Sequence, residues 1–124
     1  MFFNKQGKIW GFTQEIFNKN NVSVNRIFVK KDSFCSKHYH EHKTNIFFVE
    51  SGSILVEEWK NEYNLIDKTV LNENESCAIN PKTFHKFIGL KDSIVYEIYY
   101  VELDNKDIVR EDTGGNLNEK SNTI

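Results

Sequence analysis

Three histidines fall within the five positions His38 to His42, and the fourth histidine of the chain, His85, follows a turn-forming Asn80-Pro81-Lys82-Thr83 segment. Neutral imidazole is the commonest protein ligand for a transition metal. His38 and His40 are two residues apart, so in an extended strand both rings lie on one face and can converge on one ion. In a helix they would point about 200° apart. His42 keeps the same parity but sits among Glu41, Lys43 and Thr44, the composition of a strand end or loop, and is expected to stay outside the site. Cys35 lies three residues before His38, which places it on the opposite face of a regular strand and argues against it as a ligand. Cys35 and Cys77 have no Cys-x-x-Cys spacing and are expected as reduced, packed thiols.

The elements that must carry these residues read as β-strands. A chain of 124 residues is one domain long. Ten Phe, five Tyr and two Trp, with recurring Val, Ile and Thr, favour strands over helices. The segmentation predicts strands over Lys8 to Phe17, Val22 to Lys30, Phe34 to His40, Ile46 to Glu50, Ile54 to Trp59, Tyr63 to Val70, Cys77 to Ile79, His85 to Leu90 and Ser93 to Leu103. Ile46 to Glu50 reads as buried on both faces. Polar turns separate these runs at the even spacing of a β-sandwich or barrel. The domain is expected to end near Asp112, leaving a polar tail over 113–124 with little apolar content to offset the entropy of ordering.

Composition also excludes partners. A formal net charge of −2 offers no electrostatic reason to expect nucleic acid or an anionic membrane surface. No apolar run reaches the roughly 18 residues of a membrane span, and the N-terminus lacks the basic-then-apolar order of a signal peptide. The protein is therefore expected to be cytoplasmic. The apolar Met1-Phe2-Phe3 end suits docking against a second copy, so a homodimer is expected.

Two segments resemble known motifs. His38-Tyr39-His40, four residues, Asn45, six residues and Gly52 resemble the first cupin motif, H-x-H-x3-4-E-x6-G, with Asn45 where the acidic ligand stands. Ile79 to Lys86 resembles the second motif, a turn before the last ligand histidine. Trp10-Gly11, Arg26-Ile27, Val29-Lys30, Asn74-Glu75-Ser76, His85-Lys86 and Asp107-Ile108-Val109-Arg110 are similar to stretches of one branch of that superfamily. That branch is the isomerase domain of the bifunctional phosphomannose isomerase and mannose-1-phosphate guanylyltransferase family. Its nucleotidyltransferase half has no counterpart here.

The chain departs from that family at three places. His38 stands where Gln is usual, Asn45 replaces a glutamate ligand, and Lys82 replaces a turn glycine, where a positive φ would strain it.

The resemblance implies an all-β, single-domain jelly-roll barrel in which His38, His40 and His85, with Asn45 beside them, hold a divalent ion at the barrel mouth. Zn is the first expectation, with Fe, Mn and Ni as the other candidates. It further implies a small-molecule partner, a sugar or sugar phosphate, and an aldose-ketose isomerisation in which a base moves a proton between adjacent carbons while the metal polarises an oxygen. Glu97 is the expected base, and Lys86 and Arg110 are expected to hold the phosphate. A non-catalytic sugar-binding cupin and a three-histidine iron oxygenase are the alternatives. Trp10, Phe47, Tyr99 and Tyr100 are expected in the core more than as a sugar platform. Either Tyr96, Ile98, Tyr100 and Glu102, or Glu97, Tyr99 and Val101, face the interior, and the alternation alone does not choose.

Overall fold

The computed structural model describes residues Lys5–Lys60 and Leu65–Val101. Nine strands build it: β1 (Lys5–Lys8), β2 (Gly11–Lys19), β3 (Val22–Val29), β4 (Thr44–Ser51), β5 (Ser53–Trp59), β6 (Ile66–Asn72), β7 (Ser76–Ile79), β8 (Phe84–Gly89) and β9 (Ser93–Tyr100). A six-stranded sheet in the order β1-β2-β3-β9-β4-β7 packs on a three-stranded sheet in the order β6-β5-β8, and all pairs are antiparallel. Among the described residues no helix is long and apolar enough to cross a membrane. Arg110, Met1-Phe2-Phe3, the domain end near Asp112 and the 113–124 tail lie outside the described residues.

The core lies between the sheets. Ile27 and Val29 of β3, Phe47 and Val49 of β4, Val95 of β9, Ile54 and Val56 of β5 and Phe87 of β8 are all buried, and all belong to the inward parity of their strands. Burying side chains of this size stabilises by about 1.5–3 kcal/mol each. Val95 stands opposite both Ile27 and Val49, and Glu97 opposite both Asn25 and Phe47. That register decides the alternative left open by the sequence: Glu97 and Tyr99 share the inward face with Val95, and Tyr96, Ile98 and Tyr100 take the outer one.

Three expectations change. Lys8 to Phe17 is not one strand, because Ile9-Trp10 turns the chain between β1 and β2, and Trp10 drops inward while Phe12 stacks on Phe28 outside. Gly11 makes this close approach possible: at φ +152° a Cβ there would sit 1.8 Å from the Phe28 carbonyl oxygen. The run Ile46 to Glu50 is buried on one face only, since no described layer covers the outside of the large sheet, where Ile46 and Phe48 stay half-exposed. Phe34 to His40 forms no regular strand. It meets β8 through single bridges at Phe34–Ile88 and His38–His85.

Candidate functional site

Three residues lie between Phe34 and His38 but only two between His85 and Ile88, so the Phe34–His38 segment carries one extra residue against β8. A bulge of this kind reverses side-chain parity. Cys35 and His38 therefore line the same cavity, which corrects the expectation that they face opposite ways. Cys35 still stands outside the histidine group. Its Sγ accepts the Phe87 N–H at 3.2 Å, and burial pushes its thiol up to about 11.

His38 and His85 hold each other's backbone through paired bonds of 3.1 and 2.8 Å. His40 is tied down by the turn before β8, where the Lys82 N–H donates to the His40 carbonyl at 2.7 Å. Lys82 does occupy the left-handed region, at φ +64°, as the replacement of a turn glycine predicts. The three rings converge from these two segments: ring centroids lie 4.6, 5.1 and 5.5 Å apart, and one nitrogen from each falls within 4.8 Å of the others. His42 is exposed and outside the group.

The ring tautomers follow from backbone partners. His38 Nδ1 lies 2.8 Å from the Ser36 carbonyl and His85 Nδ1 lies 2.9 Å from the Thr83 carbonyl. A carbonyl only accepts, so each Nδ1 carries a proton, which leaves Nε2 as the nitrogen that a metal would take. His40 Nε2 is buried with no hydrogen-bond partner. Burial, then the neighbouring His38 and His85, lowers the His40 pKa to about 4, and burial also lowers that of His85. Three converging imidazoles, one with a buried Nε2 that has no partner, are the kind of donor set a divalent transition metal takes. The residues present therefore fit such an ion.

Asn45 is fully buried beside them. Its Nδ2 lies 3.5 Å from His85 Nε2 and donates to Glu97 Oε2 at 3.3 Å, while its Oδ1 is buried without a partner. Tyr99 Oη donates to the same Glu97 oxygen at 2.7 Å, and the Tyr99 ring packs 5.0 Å from His40. Burial raises the pKa of Glu97 against the opposing pull of those two hydrogen bonds. Burial also raises Tyr99, with the Glu97 charge as the next cause, so the phenol remains a donor.

Of these groups His38, Glu97 and Tyr99 line a cavity of ≈ 330 Å³, together with Lys8, Trp10, Thr13, Asn25, Cys35, Ser36 and Phe87. The volume suits a small molecule. Trp10 and Tyr99, expected mainly in the core, both line it, whereas Phe47 is core and Tyr100 lies on the outer face.

Lys86 is a correction. It alternates with His85 along β8, so it points to the outside of the small sheet, where it meets Glu57 at 3.9 Å and the Phe34 ring at 4.9 Å. It cannot hold a substrate phosphate in this cavity. Lys8, Thr13 and Asn25 take their places here without having been expected there, whereas Tyr99 belongs to one of the two alternating sets weighed for the interior. Parity counted from Glu97 would have found Tyr99, but Lys8 left no local signal.

No protein-family model matches the sequence, and no curated protein matches it. Solved structures do. KdgF from Halomonas sp. superposes with a TM-score of 0.69 at 17% identity, over 83% of this chain and 92% of that one. An oxalate decarboxylase variant from Bacillus subtilis gives 0.71 at 12% identity, over 80% of this chain and 27% of that one. CapF, a capsular polysaccharide assembling protein from Staphylococcus aureus, gives 0.69 at 17% identity, over 85% of this chain and 32% of that one. The chain thus spans nearly all of KdgF but only about a third or less of the other two. With two antiparallel sheets, a shared inner core and these neighbours, the chain has the cupin fold, and it carries within that fold a three-histidine group able to hold a metal ion.

Proposed function

We propose that this cupin is a metal-dependent isomerase or epimerase acting on a sugar or sugar phosphate. His38, His40 and His85 would hold the ion through Nε2, with the Asn45 amide as a neutral neighbour beside His85. A divalent ion bound there supplies a Lewis acid for a substrate oxygen. The observation that carries the reading is the position of Glu97: one amide nitrogen of Asn45 links its carboxylate, at 3.3 Å, to the histidine group, at 3.5 Å. Glu97 Oε1 and Oε2 accept and return the proton moved between adjacent carbons, and Tyr99 fixes the carboxylate by donating to Oε2. Trp10 and Phe87 exclude water from one wall.

Calorimetric titration with Zn²⁺, Mn²⁺, Fe²⁺ and Ni²⁺ tests the first half. His40→Ala is expected to weaken binding by about a hundredfold or more, the upper range for a lost supporting group. Asn45→Glu is expected to tighten it. Solvent-deuterium incorporation into hexoses, pentoses and their phosphates tests the second half, with Glu97→Gln as the inactive control. Metal binding without deuterium uptake would remove the isomerase and leave sugar binding alone. The all-neutral ligand set favours a second reading, a mononuclear iron oxygenase, for which oxygen consumption with Fe²⁺ is the test.

A second copy of the chain is the proposed protein partner. The outer face of the large sheet presents Phe12, Phe28, Phe48, Ile46, Ile94 and Ile98. Across it run Arg26 and Glu50, paired at 3.7 Å, so the face is self-complementary in charge. Sedimentation equilibrium of Ile98→Asp against the native chain tests this, and a native monomer would end it.

A further inference from the structure

We propose that Lys8, Thr13 and Asn25 form an anion-binding end of the cavity, which takes the carboxylate or phosphate group of the substrate. The proposal rests on reading the three histidines as the metal end.

Three adjacent strands bring the donors together. Thr13 of β2 stands opposite Ile27, and Asn25 of β3 stands opposite Glu97, so both share the inward face of the sheet. Lys8, at the end of β1, lines the same cavity. Together they offer an ammonium, a hydroxyl and an amide, all able to donate to anionic oxygens. Among the described residues lining the cavity, Lys8 is the one cation. Lys86 is committed to Glu57 on the other side of the small sheet.

Charge balance points the same way. The histidines are neutral donors, and Asn45 is neutral where the resembling motif has a carboxylate, so no ligand offsets the charge of a divalent ion. Glu97 is the single carboxyl among the residues lining the cavity, so a divalent ion held by the histidines and the Lys8 ammonium would together exceed it in charge. The remaining positive charge matches a substrate that is itself an anion. Glu97 would then lie between the two ends, beside the carbon that exchanges its proton. Lys8 is exposed, so the contact stays hydrated and sensitive to salt.

The test is calorimetry at low ionic strength with glucose 6-phosphate, glucuronate and glucose, on metal-free and Zn²⁺-titrated protein. Both anions are expected to bind at least about tenfold more tightly than glucose, a difference near 1.4 kcal/mol. Lys8→Gln should remove about that tenfold while leaving Zn²⁺ affinity unchanged, and Asn25→Ala should act in the same direction. The tighter of the two anions identifies phosphate or carboxylate as the group held. Glucose binding as tightly as the anions, or Lys8→Gln binding them like the native chain, overturns the proposal. Absence of Zn²⁺ binding would instead refute the metal reading, and the metal-free arm still decides on Lys8.

Discussion

The two ends of the interior are built from the same strands and the same parity, yet one is dry and the other polar. Along β3 the inward residues run Val29, Ile27, Asn25; along β4, Val49, Phe47, Asn45; along β9, Val95, Glu97, Tyr99. On the small sheet, β5 runs Ile54, Val56, Glu58 and β8 runs Phe87, His85. All five strands pass from apolar to polar along their inward faces, β4 one residue pair later than β3 and β9, since Phe47 stands opposite Glu97 and Asn45 opposite Tyr99. A polar group buried alone costs free energy, whereas a layer of them can satisfy one another, as Tyr99, Asn45 and Glu97 do. The dry end therefore supplies the stability that lets the polar end keep buried groups such as Glu97 and two unpartnered atoms, His40 Nε2 and Asn45 Oδ1. Glu58, opposite His85, stands apart, 4.0 Å from Lys60 and outside the histidine group.

The largest expected effect comes from breaking the dry end. Ile27→Ala should cost about 2–5 kcal/mol in urea denaturation, because the fully buried site leaves a cavity. Metal affinity measured in buffer should not change, and a parallel loss would show that the two ends are not separable.

The polar end should reveal itself in the acid limb of stability. His40 titrates at about 4 when folded against 6.5 as a free group, so the unfolded chain takes up the proton first. Stability of the metal-free protein should be full above about 6.5 and fall as pH drops toward 4, with the lowered His85 adding to the slope. Thermal melts of the native chain and His40→Asn across that window are the check, and equal slopes would contradict the burial of His40.

Glu97 works with the opposite sign. Its folded pKa is raised, so the contribution of the protonated form is present below the ordinary carboxylate range and is lost as pH rises through the folded value. Glu97→Gln should therefore raise the melting temperature at neutral pH and flatten its fall, while abolishing proton exchange. A melting temperature lowered at neutral pH would mean that the ionised carboxylate is stabilised in place.

The smallest effect sharpens the contrast between two lysines. Lys86→Ala removes a partly exposed pair with Glu57 and should cost about 0–1 kcal/mol, with anion and metal binding unaltered. Lys8→Gln should show the reverse pattern, little change in stability and weaker anion binding.

Much of this was legible in the chain itself. The alternation of apolar residues and the turns specify an all-β sandwich or barrel, because strand periodicity and turn chemistry are local, and the motif resemblance adds the barrel and the three histidines at its mouth. The positive φ at Lys82 fits the turn glycine that the resembling motif has at that place. What depended on long-range contacts was decided only in three dimensions. Both parities of β9 are apolar enough to be buried, so its pairing with β3 and β4 was needed to turn Glu97 inward. One extra residue between Phe34 and His38 brought Cys35 into the cavity, and the pleat of β8 sent Lys86 out of it. The partner strand sets the register, and a shift of one residue moves a side chain across the sheet, so single strands could not settle Glu97 and Cys35, whereas the alternation of Lys86 with His85 was already in the chain.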